Sequence, residues 1–126
     1  MHLNEILKRD DFMKEFENYA ESKILELSEE VKNLEKNYRQ DDAVFVKIKI
    51  NVYDVCKTVF GVFLKTKPQE SFAAEYLKKL DEFREIWSAS KEKAEKFGDS
   101  KKSAVEEAKL CVLAEIREKF VALWGE

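Results

Sequence analysis

Residues 42–65 read DAVFVKIKINVYDVCKTVFGVFLK. The first part, Val44 to Val52, alternates apolar and polar like a surface strand. The whole stretch reads differently. With Phe45 at zero and 100° per residue, Phe45, Ile48, Val52, Cys56, Val59 and Phe63 fall within about 60° of one direction. Val46, Ile50, Tyr53, Phe60 and Leu64 widen that arc on one side, and Val44, Val55 and Val62 on the other. The polar residues Lys47, Asn51, Asp54, Thr58 and Lys65 form one narrow stripe opposite. A strand accounts for nine residues and stops at Tyr53–Asp54, whereas a helix accounts for all of 42–65. The β-branched side chains lower helix propensity by only tenths of a kcal/mol each. Burying one of them is worth roughly 1.5–3 kcal/mol. Packing therefore decides for a deeply buried helix.

A helix of that kind needs others to cover it, and the rest of the chain supplies them. Only three Gly and one Pro occur in 126 residues, so few points can break a helix. Upstream, Ala20, Ile24, Leu27, Val31, Leu34 and Tyr38 repeat at helical spacing, extended by Phe16 and by Phe12 or Met13. They predict an amphipathic helix over 11–39, capped by Asp10 or Asp11. Leu3, Ile6 and Leu7 predict a short extra helix before it. Asp41 or Asp42 is the expected cap of the second helix. Thr66 and Gln69 fit a capping box for the third, with Pro68 in its first turn. Ala73, Tyr76, Leu80, Phe83, Trp87, Ser90, Ala94 and Phe97 carry that helix to Gly98, the expected C′ residue, and Ser100 is the next expected cap. Val105, Ala108, Val112, Ile116, Phe120 and Leu123 define a fourth helix over 101–124, flanked by Cys111, Leu113 and Trp124.

Four helices of matched length joined by short loops predict an all-α, up-down-up-down four-helix bundle with the short extra N-terminal helix, a single domain over 1–126. The chain is long enough to bury a core without metal or disulfides. Cys56 and Cys111 are expected to be buried free thiols. No targeting segment or membrane span is visible, so the expected location is cytoplasmic.

The sequence advertises no catalytic constellation. Its one histidine, His2, lies at the terminus, which removes His-based zinc and nucleophilic chemistry. No CxxC motif or Gly-rich phosphate loop occurs. The pairs Glu26/Glu29, Glu82/Glu85, Glu92/Glu95 and Glu115/Glu118 have the spacing to ligate Mg²⁺ from one helical face. Such pairs also arise by accident among 26 acidic residues. No catalytic or metal residue is assigned and no cofactor is expected. Arg9, Arg39, Arg84 and Arg117 are scattered along the chain and form an anion pocket only if tertiary contact gathers them. The lysines around 91–102 are interrupted by acids, and the net charge of −3 is not a nucleic-acid footprint.

One residue disturbs the pattern. Lys49 lies inside the apolar arc of the second helix. In an antiparallel bundle its level falls near Ser90, the one polar residue in the third helix's apolar repeat. Lys49, Ser90 and Tyr53 are therefore the expected polar notch. The functional expectation is a non-catalytic protein-interaction or structural module, with a protein partner or a homodimer. The alternative is a small-molecule-binding or carboxylate/metal-dependent enzymatic bundle.

Overall fold

A computed structural model describes the backbone of residues 2–124 and the side chains of 10–124. It is all-helical: α1 is His2–Lys36, α2 Gln40–Thr66, α3 Gln69–Lys96 and α4 Ser100–Trp124. The 42–65 stretch is helix, as its longer period requires. The separate leading helix is not seen. The backbone of α1 runs unbroken from His2 through Asp10 and Asp11, which are interior residues and not caps. Nothing near Asp10 is a strong breaker, and aspartate inside a helix costs only tenths of a kcal/mol. The side chains of His2, Leu3, Ile6, Leu7 and Arg9 lie outside the described residues.

The α1–α2 and α3–α4 turns are built alike. Arg39 N–H donates to the Leu34 carbonyl at 2.8 Å, and Asp99 N–H to that of Ala94 at 2.8 Å. Both are Schellman closures, which need a left-handed residue at C′. Gly98 fills that place in the second turn with φ 70°, whereas Tyr38 fills it in the first with φ 60°. Tyr38 is 90% exposed, so its ring packs on little that could offset the strain. Left-handed geometry costs an L-residue about 1–2 kcal/mol, and glycine's extra backbone entropy returns part of that. Tyr38→Gly is expected to raise unfolding free energy by about 0.5–1 kcal/mol in urea titrations. An unchanged or lower value would show that the ring stabilises the turn.

Three expected caps are replaced. Thr66 donates its hydroxyl to the Val62 carbonyl at 2.8 Å and so closes α2; no capping box forms, and Pro68 itself is the N-cap of α3. Asp99, not Ser100, caps α4, its Oδ1 accepting from Lys102 N–H at 3.0 Å. Asp41 and Asp42 sit in the first turn of α2, and Asp42 instead holds the guanidinium of the N-cap residue Arg39 at 2.7 Å. Acids in a first turn still favour the helix through its dipole.

The helix partners follow from ladders of contacts. On α1 and α2, Glu35 meets Lys47, Glu21 meets Lys57, and Phe16 meets Phe60. On α3 and α4, Lys91 meets Glu107, Asp81 meets Arg117, and Phe72 meets Phe120. In both pairs one number rises as the other falls. Between α2 and α4, Tyr53 reaches Glu115 and Phe60 reaches Phe120, so both numbers rise together. The main core lies towards the α2–α3 turn, where Phe12, Phe16, Phe60, Phe72, Tyr76 and Phe120 are buried. Towards the other two turns, only Val31, Ala43 and Val46 form a small second cluster. The buried face of α2 follows Val46, Val52, Tyr53, Cys56 and Phe60, while Phe45 and Ile48 are only half-buried. Among the described residues no helix is long and apolar enough to cross a membrane.

Candidate functional site

Lys49, Ser90 and Tyr53 each have different surroundings. Tyr53 is buried and donates its hydroxyl to Glu115 Oε2 at 3.0 Å, with the Tyr19 ring 6.1 Å away, edge-on. Burial pushes the phenols of both tyrosines above their ordinary range, and the Glu115 charge adds to this, so both stay protonated at neutral pH. Ser90 is half-buried and lies beside Glu106 of α4. Lys49 is half-buried on the core stripe of α2, between Val46 and Tyr53. Among the described residues no hydrogen bond or ion pair joins it to Ser90 or Tyr53. The glutamate pairs at i,i+3 spacing are all solvent-exposed. No group of three metal-ligating side chains converges among the described residues.

Two arrangements were not read from sequence. The first is Glu106, which is 2% exposed and pairs with Lys109 Nζ at 2.8 Å. The same ammonium lies 5.5 Å from the centre of the Trp87 ring. Burial opposes ionisation of Glu106. The ion pair with Lys109, the nearby Ser90 and the charge of Lys102 outweigh it and hold the carboxyl below its ordinary 4.5. A lowered folded-state pKa stabilises the fold above the unfolded value and ceases to do so as pH falls through the folded value. Glu106→Gln is therefore expected to cost about 1–2 kcal/mol near neutrality. The deficit should shrink below about pH 4.5, read by urea titration at several pH values. A deficit independent of pH would rule out the charge as its source.

The second arrangement is a furrow of about 740 Å³ between α3 and α4, on the side away from α1 and α2. Leu80, Leu110, Leu113, Ala114 and Val121 supply its apolar walls. Asp81 lies between two arginines, with Arg117 Nε at 3.4 Å and Arg84 Nη2 at 3.5 Å from its Oδ1. These contacts are long for charge-assisted hydrogen bonds, and the buried Asp81 Oδ1 and Arg117 Nε have no well-formed hydrogen bond. Tertiary contact thus gathers Arg84 and Arg117, but around a carboxylate of this chain. A separate hollow of about 500 Å³ lies nearer the α3–α4 turn, lined by Glu95, Ser103, Ala104 and the ion-paired Lys91 and Glu107.

The furrow's wall on α4 mixes apolar and charged residues, Glu118 among them. The inner side of the helix buries Val112, Leu113, Ile116 and Phe120. Its outer side exposes Cys111, Ala114, Val121 and Ala122 interleaved with Glu107, Glu115 and Glu118, with Leu110 half-covered. The expectation that Cys111 is buried is therefore corrected, and Cys56 alone is a core thiol. Burial pushes the Cys56 thiol up to about 12, which leaves it inert. Comparison with protein families, with curated proteins and with solved structures returned no match.

Proposed function

We propose that residues 1–126 form a single up-down-up-down domain that works in the cytoplasm as a non-catalytic protein-interaction module, with the outer α3/α4 face as its contact surface. The observation that carries this reading is the group of exposed apolar residues Cys111, Ala114, Val121 and Ala122 on the outer side of α4, beside the α3/α4 furrow. A surface helix in a monomer is ordinarily apolar on one stripe only, and further apolar residues grouped beside a furrow imply cover. Two free thiols and an acidic balance fit a reducing compartment. The test compares proteins retained by the wild-type chain with those retained by Ala114→Arg, which places a charge in mid-furrow. Species held by the wild type and lost by the variant support the reading. Identical sets, with the variant folded by circular dichroism, overturn it.

A second reading places a small-molecule notch at Lys49, Tyr53 and Ser90, favoured by a half-buried lysine on the core stripe with no ion-pair partner among the described residues. If Lys49 only lays its stem along the seam, Lys49→Leu should stabilise the fold by about 0.5–1 kcal/mol. Loss of binding to small anions on that substitution, seen as vanished chemical-shift changes around Lys49, would instead establish the notch.

A further inference from the structure

We infer that the crevice between α1 and α4 binds a free α-amino acid, held as a zwitterion between the carboxylates of Glu115 and Glu118 and the ammonium groups of Lys23 and Lys119. The site is distinct from the α3/α4 contact surface and shares with it only Glu118 and Ala122, on the edge of α4 between the two.

A hollow of about 310 Å³ brings these four charges together without letting them satisfy one another. Among the described residues none of them takes part in an ion pair; the neighbouring pairs, Glu21–Lys57 and Asp81–Arg117, use other residues. Glu115 and Lys119 stand one helical turn apart, in the order that favours pairing. Each is engaged by a tyrosine instead. Tyr53, 2% exposed, donates its hydroxyl to Glu115 Oε2 at 3.0 Å. Lys119 Nζ lies 5.5 Å from the centre of the Tyr19 ring, and the Tyr19 and Tyr53 rings meet edge-on at 6.1 Å. A buried donor on one carboxylate oxygen fixes the direction of the group and leaves Oε1 to accept from a ligand.

The placement follows from the fold. Side-chain contacts of α1 with α4 run from Phe12–Trp124 to Tyr19–Lys119. Past that level the ion pairs of α1 are made with α2, through Glu21–Lys57 and Glu35–Lys47. The hollow lies where the two helices part, and Tyr53 of α2 stands behind Glu115 at its edge. Gaps between the helices of a bundle are common ligand sites.

Charge and size together select the ligand class. A simple anion at the lysines would also meet two carboxylates, and a simple cation at the glutamates two ammonium groups. A molecule that carries both signs complements all four. Glu115 and Lys119 are about 5–6 Å apart at their Cβ atoms, so the ligand's own charges must lie close together, as on one α-carbon. At about 30 Å³ for each water-sized group, the hollow holds about ten non-hydrogen atoms. That admits an amino acid with a modest side chain, which Tyr19 and Ala122 would flank, and excludes a nucleotide or a longer peptide.

Titration of the full chain with each of the common L-α-amino acids, followed by amide chemical shifts, provides the test. At least one should give saturable changes centred on Tyr19, Lys23, Glu115 and Lys119, half-complete at about millimolar concentration, as expected for so small a ligand. Its N-acetyl derivative lacks the ammonium and its amide lacks the carboxylate, and each should bind at least about tenfold more weakly. Glu115→Gln and Lys119→Met should weaken binding by a similar factor at unchanged helicity. Tyr53→Phe keeps the ring but releases Glu115, and should weaken it about threefold. Ala114→Arg, which disables only the α3/α4 surface, should leave binding intact, so the two proposals fail separately. The inference is overturned if no amino acid gives saturable changes up to about 50 mM. It is equally overturned if either capped derivative binds as well as the free amino acid, or if Glu115→Gln, Lys119→Met or Tyr53→Phe retains wild-type affinity.

Discussion

Phe60→Ala is expected to lower unfolding free energy by about 3–5 kcal/mol, the largest loss of any single truncation in this chain. Phe60 is 0% exposed. Its ring centre lies 4.5 Å from that of Phe16, 5.5 Å from those of Phe72 and Tyr76, 5.8 Å from Phe12 and 6.3 Å from Phe120. Those partners belong to α1, α3 and α4, so one side chain of α2 touches every other helix. Truncation removes its transfer free energy and leaves a cavity walled by rings that cannot collapse independently. Phe60→Leu keeps most of the volume and should cost less, about 1–2 kcal/mol. Domains of this size have about 5–15 kcal/mol in total, so the alanine variant should show a much lower urea midpoint. A loss below about 1 kcal/mol would show that the rings do not form one cooperative core.

The position of Phe60 in that core also shows how far periodicity reaches. The 3.6-residue rhythm identifies α2 despite its valines and isoleucines, and places Phe60 on the apolar arc. It does not fix which edge of so wide an arc is buried. Of the residues at the centre of the wheel, Val52 and Cys56 are buried but Phe45 and Ile48 only half-buried, while Val46, Tyr53 and Phe60 from one edge are buried too. On α4 the ambiguity is greater, because apolar residues surround most of the helix and no narrow polar stripe marks the outside. Hence Cys111 was expected inside and is exposed, while Glu106 was not expected inside and is buried. Gly98 could be read as a left-handed C′ residue because glycine fits that geometry freely. Tyr38 could not, since nothing in a tyrosine announces a positive φ.

The site residues were missed for a different reason. Arg84 and Arg117 are distant in sequence, and no local pattern joins them. The turn at Gly98 nevertheless contains the register. Ser90 and Glu106 stand equally far on either side of it, Lys91 and Glu107 nearly so, and Asp81 and Arg117 differ by two residues. Reflecting α3 onto α4 about Gly98 therefore pairs polar groups that face each other across the two helices. Ser90 lies beside Glu106 of its hairpin neighbour α4, and among the described residues no hydrogen bond or ion pair joins it to Lys49 of α2.

The same reasoning about bridging rings gives the second large effect. Trp124→Ala is expected to cost about 2–3 kcal/mol, although the indole is 37% exposed. Its ring meets that of Phe12 nearly perpendicularly at 4.9 Å, lies 5.6 Å from Phe72, and stacks on Phe120 at 6.0 Å. The helices α1 and α3 are joined at this end chiefly through such rings, since their backbones make no direct approach among the described residues. Removing the indole should therefore loosen two helices that are remote from it in sequence. Hydrogen exchange should quicken around Phe12 and Phe72 more than around the Tyr38 and Gly98 turns, which lie at the far end. If exchange instead quickens only in the last turn of α4, Trp124 is a peripheral contact. The aromatic end of the bundle would then be closed by Phe120 alone.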